Sequence, residues 1–162
     1  MEDTRRVQIR RVRPEEWRQL RELRLDALRD APYAFVTRLE TALSHPDEEW
    51  RARTAWATFV AAEGSLLVRM ATWMPKEPSD GAVLLQMYVR PDARGTGVAA
   101  RLVDAVVGWA RSENLARTEL GVNSGNERAA RLYARCGFER TGERIHHDAY
   151  GDDIRMARML RR

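Results

Sequence analysis

The residues with chemistry in them lie between Leu84 and Ala100, LLQMYVRPDARGTGVAA. An apolar run ends at Arg90-Pro91-Asp92, passes into Arg94-Gly95-Thr96-Gly97, and resumes as a helix-forming run from Val98. Strand, glycine loop and helix start together form a cradle for an anion. Glycine lets the backbone turn back on itself, and the first N–H groups of a helix have no intrahelical acceptor and sit at its positive dipole end. The chemistry expected of such a loop is the holding of phosphate.

Two further groups of residues invite a chemical reading. Cys136 stands beside Gly137 at the end of a short helical pattern with no His close in sequence, which suits a small packed residue better than a nucleophile. His146 and His147 adjoin each other, but no Cys or third His lies near, so they read as a surface pair and no metal site is expected.

The elements that must position the loop follow from periodicity. Val7 to Val12 alternates as a first strand ended by Pro14. From Glu15 to Arg29, Trp17, Leu20, Leu23, Leu25, Ala27 and Leu28 recur at helical spacing, with Pro14 at the start and Pro32 just past the end. A second helix follows His45-Pro46, with Trp50 on its buried side. Thr58 to Ala62 and Leu66 to Trp73 read as strands joined at Glu63-Gly64-Ser65, and Pro75, Pro78, Ser79, Asp80 and Gly81 mark a loop.

In the second half, strands over Ala82 to Val89 and Thr118 to Val122 flank a helix over Val98 to Ser112, which implies a right-handed crossover and parallel pairing. A short helix begins at Asn126 and stops at Gly137. Two strands, about Phe138 to Ile145 and Asp153 to Leu160, flank a loop with Gly151. No repeat or low-complexity tract interrupts the pattern, so the reading is one mixed α/β domain over residues 1–162.

Composition narrows the function classes. The chain has 162 residues, the size of one domain, and no run of about eighteen apolar residues or signal-peptide pattern, so the expectation is a cytoplasmic protein with no membrane partner. Its formal net charge is +4, yet arginines are interleaved with acids along the whole chain and Lys76 is the single lysine, so the charge does not point to nucleic acid. One cysteine excludes an intrachain disulfide.

With these residues in place the chain resembles the GNAT superfamily of acetyl-CoA-dependent N-acetyltransferases. The family's loop is Arg or Gln, two residues, Gly, one residue, then Gly or Ala, and Arg94, Gly97 and Ala99 match it. A second signature is met by Asn126, Ala129, Leu132-Tyr133 and Gly137-Phe138. The resemblance implies a central mixed, mostly antiparallel sheet with one parallel splayed strand pair, flanked by about four helices. It implies acetyl-CoA as co-substrate, with Arg94, Gly95, Thr96, Gly97, Val98, Ala99 and Ala100 around the pyrophosphate, Met87, Tyr88 and Val89 along the pantetheine arm, and Asn126, Ala129 and Tyr133 beside it.

The resemblance also assigns roles. Tyr133 would be the general acid for the departing thiolate, and a backbone N–H near Tyr88 on a bulged strand would stabilise the oxyanion. Glu119 is the candidate base, and a water relay the alternative; Gln86 lies where an acid would have helped, and an amide cannot serve. The acceptor expected is a small-molecule primary amine bound by Ala31 to Ser44, the Trp73 to Gly81 loop and the His146 to Asp152 loop, with Trp73, Tyr33 and Phe35 as wall candidates. The protein would be a monomer or homodimer.

Two other readings compete. Gly95 to Ala100 with Glu119 satisfies a relaxed dinucleotide fingerprint, though five residues, Arg90 to Arg94, separate the strand from the first glycine. A non-catalytic sensor binding coenzyme A on the same fold is the second, since fold does not guarantee activity.

Overall fold

The computed structural model describes residues 7–32, 35, 37–64, 66–76, 81–148 and 151–160. Strand β1 (Gln8–Arg11) leads through a 3₁₀ turn at Pro14–Glu16 into α1 (Trp17–Asp30). Proline starts the 3₁₀ turn rather than the α-helix, and the Glu16 side chain accepts from the Arg13 backbone N–H at 2.8 Å, which closes that turn before α1 begins. Two short helices come next, α2 (Leu39–Ser44) and α3 (Asp47–Arg53), with Trp50 of α3 only 1% exposed. Five α-helices stand among the described residues, in line with the about four expected; α2 has six residues, too few for a helical period to show.

The rest of the chain is β2 (Ala57–Glu63), β3 (Leu66–Lys76), β4 (Gly81–Val89), α4 (Val98–Ser112), β5 (Arg117–Asn123), α5 (Glu127–Arg135), β6 (Glu139–His147) and β7 (Gly151–Met159). Pro75 has the sequence signal of a loop, but β3 runs through it: Pro75 pairs with Ala82 and Lys76 with Gly81. The hairpin after β6 is shorter than expected too. His146 and His147 belong to β6 and Gly151 and Asp152 to β7, with pairing of His147 to Gly151. Tyr33, a candidate wall residue, lies outside the described residues.

One seven-stranded sheet results, in the order β1-β2-β3-β4-β5-β7-β6, antiparallel except for β4 against β5. A single parallel pair is not the doubly wound parallel sheet of a dinucleotide fold, so that reading falls. Adjacent residues of β2 show which helix covers which face. Val60 joins the cluster of Leu20 and Leu23 from α1, while Ala61 packs with Val98 of α4. The larger cluster, on the α4 side, holds Leu102, Val103, Val106 and Val107 of α4 with Leu84, Leu120, Val122, Tyr133 and Phe138.

The sheet is irregular in two places along β4. The β4–β5 pairing covers only Gly81, Ala82 and Val83 against Arg117, Thr118 and Glu119, although both strands continue for several residues. Along β3 and β4 the register shifts so that Gln86 and Met87 stand opposite the single residue Ala71, a bulge on β4.

Candidate active site

The glycine loop has the form its residues demand. Arg90 is followed by a 3₁₀ turn at Pro91–Ala93, and Gly95 and Gly97 take left-handed φ values of 79° and 76°. Gly97 is the N-cap of α4, and the first intrahelical bond is from the Arg101 N–H to the Gly97 carbonyl at 3.4 Å. The first-turn amides of Val98, Ala99 and Ala100 therefore lack a helical acceptor. A Cβ placed on Gly95 or Gly97 would meet nothing within 4 Å, and the first turn of α4 carries no acid. Open space, free amides and a positive dipole end fit the diphosphate of a nucleotide.

Beyond Val83 the two central strands part. Backbone groups of β4 residues 84–89 that point away from β3 face an open seam rather than a partner strand, and Glu119 stands at its apex as the last residue of β5 paired with β4. The bulge at Gln86 and Met87 changes which of those groups face the seam just before Tyr88. Met87 is half-buried against the α4-side core, whereas the Tyr88 ring lies in the α1-side cluster at 5% exposure.

The turn after β5 closes the far side. Asn126 caps α5: its side-chain oxygen accepts from the Ala129 N–H at 3.2 Å. The helix ends as its residues indicate, with Cys136 as C-cap and Gly137 at φ 88°. Tyr133 is 7% exposed, edge-on to Phe138 with centroids 6.1 Å apart, in one core cluster with Leu84 of β4 and Leu120 and Val122 of β5. Burial pushes its hydroxyl well above the ordinary tyrosine value, with the neighbouring Cys136 adding to the shift. A phenol so placed keeps its proton at neutral pH. Cys136 is buried as well, and burial raises its thiol, so it is a packed residue and not an activated thiolate.

The opposite face of β5 is polar. Thr118, Leu120 and Val122 point into the core, so Glu119, Gly121 and Asn123 alternate onto the other face. Glu119 is mostly buried and its carboxylate lies 3.3 Å from the Arg117 Nε. Gly121 is opposite Arg155 of β7, and a Cβ there would stand 3.0 Å from the Asp153 carboxylate and 3.4 Å from the Arg155 guanidinium. With no Cβ at Gly121, the Asp153 carboxylate and the Arg155 guanidinium both lie close over β5. His147 adds an imidazole, its Nε2 3.3 Å from Asp153. His146 is exposed between Asp148 and Asp152, and among the described residues no group of His, Cys, Asp and Glu could hold a metal ion.

A model of the Acetyltransferase (GNAT) family matches residues 13–138. The chain is 31% identical to the phosphinothricin N-acetyltransferase of Streptomyces coelicolor over 153 residues, 88% of this chain and 87% of that one. The chain belongs to the GNAT acetyltransferase family. An L-methionine sulfoximine/L-methionine sulfone acetyltransferase of Pseudomonas paraeruginosa is 34% identical over 97 residues, which is 57% of this chain and 56% of that relative, so the chain spans about half the length of that curated relative. In fold, this GNAT chain matches the PaiA N-acetyltransferase from Thermoplasma acidophilum, solved in complex with coenzyme A, at a TM-score of 0.71 and 17% identity over 95% of this chain and 99% of that one.

Sequence reasoning missed three features of the site: the Asp153 and Arg155 side chains over Gly121, the His147–Asp153 contact, and Asp30, which accepts from Tyr88 and Arg94. Only the small residue at Gly121, in the middle of a strand, signalled a close approach.

Proposed function

We propose that this protein transfers the acetyl group of acetyl-CoA to the primary amine of a small molecule, with the chain acting as one catalytic domain. The observation that carries the reading is the open seam between β4 and β5, with the free first-turn amides of Val98, Ala99 and Ala100 at the loop beyond β4. A thioester laid along the seam supplies the acyl group. The amides from Gly95 to Ala100 hold the diphosphate, and the outward backbone groups of Met87, Tyr88 and Val89 pair with the pantetheine arm. An N–H at Tyr88, re-aimed by the bulge, polarises the acetyl carbonyl. Asn126 and Ala129 line the other wall.

Tyr133 gives its proton to the leaving sulfur. The donor must be protonated when the thiolate departs, and the Tyr133 phenol holds its proton at neutral pH. Glu119, at the seam's apex, takes the proton of the incoming ammonium directly or through water.

The acceptor side is the polar face of β5 and β7. Asp153 matches an ammonium and Arg155 a carboxylate, a pairing that fits an α-amino acid or its analogue. The names of the two curated relatives support the same class. The test is turnover of acetyl-CoA, read as free thiol, across a panel of amino-acid analogues, polyamines and peptides. Amino-acid analogues should be acetylated. Acetylation of peptides alone would overturn the acceptor, and binding of coenzyme A with no turnover on any amine would make the protein a sensor.

A further inference from the structure

We propose that Asp30, the last residue of α1, is a positioning residue that ties the phosphate loop to the strand end carrying the Tyr88 amide. The inference rests on the reading of the loop as the coenzyme A site. A carboxylate at the C-terminal end of a helix faces the negative end of the dipole, so it is favourable there only when cations hold it. Asp30 is held from two directions. Its Oδ2 accepts from the Arg94 Nη2 at 2.6 Å and from the Tyr88 hydroxyl at 3.2 Å. Arg94 also donates from Nε to the Val89 carbonyl at 3.1 Å. The contacts close a ring: Asp30 to Arg94, Arg94 to the backbone after Tyr88, and Tyr88 back to Asp30.

One turn earlier the motif repeats with less reach. Asp26 lies 3.1 Å from the Arg90 guanidinium, so two acids four apart on α1 face two arginines four apart. Those arginines bracket the 3₁₀ turn at Pro91–Ala93 that enters the glycine loop. Asp26 fixes one side of that turn. Asp30 alone grips both the loop residue and the strand residue, and it borders an open cleft of about 570 Å³ lined also by Asp26, Arg29, Tyr88, Arg90, Pro91 and Asp92.

The consequences differ for the two partners. Without Asp30 the Arg94 side chain loses the charge that aligns it beside the diphosphate site. Without it the Tyr88 ring, buried on the α1 side, loses the anchor that fixes the orientation of its backbone on the seam. Asp30 therefore supports cofactor affinity through Arg94 and the chemical step through Tyr88.

The experiment measures coenzyme A affinity by titration calorimetry and steady-state kinetics with the best amine for the wild type, Asp30→Ala, Asp30→Asn and Tyr88→Phe. Asp30→Asn keeps an acceptor oxygen for Tyr88 but loses the charge opposite Arg94. It should weaken coenzyme A roughly fivefold to tenfold with kcat nearly kept, the scale of one charge-assisted bond. Tyr88→Phe should lower kcat with affinity kept, and Asp30→Ala should do both. Equal coenzyme A affinity in wild type and Asp30→Asn overturns the proposal, as does a parallel loss of affinity and kcat in all three variants. A wild type that binds no coenzyme A would instead sink the loop assignment.

Discussion

Gly97 is the position where the cofactor reading can be separated from the fold. Its φ of 76° is left-handed, and a Cβ there would meet nothing within 4 Å, so the protein itself objects only to the backbone conformation. Gly97→Ala should lower stability by about 1–2 kcal/mol, a fall in Tm of roughly 2–8 °C for a chain of this size. Asn tolerates the left-handed region better, so Gly97→Asn should retain more stability. Gly97→Asp adds a charge to nearly the same shape. A carboxylate about 5 Å from a phosphate charge, at an effective dielectric constant of about 20, repels it by about 3 kcal/mol, somewhat more than a hundredfold in affinity. The same carboxylate would also compete for the free amides of Val98, Ala99 and Ala100. Calorimetric titration of coenzyme A into the Asn and Asp variants at equal ionic strength, beside thermal unfolding of each, gives both quantities. Equal affinity in the two variants would refute the placement of the diphosphate at this loop.

Tyr133→Phe should lower kcat by roughly a hundredfold with little change in the KM for acetyl-CoA, the scale of a lost proton donor; an unchanged kcat in steady-state assays would remove Tyr133 from that role. The Tyr133 and Tyr88 hydroxyls are both raised on folding, Tyr88 to about 12 by burial and then by Asp30, so the folded chain holds these protons more tightly than the unfolded one. That stabilisation is complete below pH 10 and is lost as pH rises above it. The urea midpoint should fall between pH 10 and 12, and fall less in Tyr88→Phe. Arg24 is buried at 4% exposure against Phe35, its Nε and Nη1 have no hydrogen-bond partner among the described residues, and burial lowers its guanidinium to about 10 with Arg53 adding to the shift. Arg24→Met should therefore raise stability by about 1–2 kcal/mol in a denaturant titration, because it removes a buried cation whose charge is poorly compensated; a loss of stability would show that the contact with Phe35 outweighs the burial of charge.

The elements most legible in the sequence are those whose signals are local. The helix over Val98–Ser112 shows its apolar stripe directly, and α5 carries its own N-cap at Asn126 and its stop at Gly137, so both match the structure within a residue. The elements misread are those where local signals were weak or overridden. Six residues in α2 show no period, and Pro75 reads as loop although β3 continues through it to pair with β4. At the site, the glycine loop and Tyr133 were visible as motifs. The neighbours that give them an environment were not, because Asp30 is 58 residues from Tyr88 and 64 from Arg94.

The order of residues alone determined that a strand would end in a glycine turn with left-handed backbone and open a helix with spare amides, since φ preference and the unpaired first turn are properties of adjacent residues. Tertiary structure decided that β4 and β5 pair for three residues and then part, that β4 bulges at Gln86 and Met87, and that Asp153 and Arg155 fold over Gly121. These depend on pairing between segments far apart in the chain, Val83 with Glu119, Ala71 with the bulge, and Gly121 with Arg155. Such pairing is set by residues distant along the chain, and no local pattern encodes it.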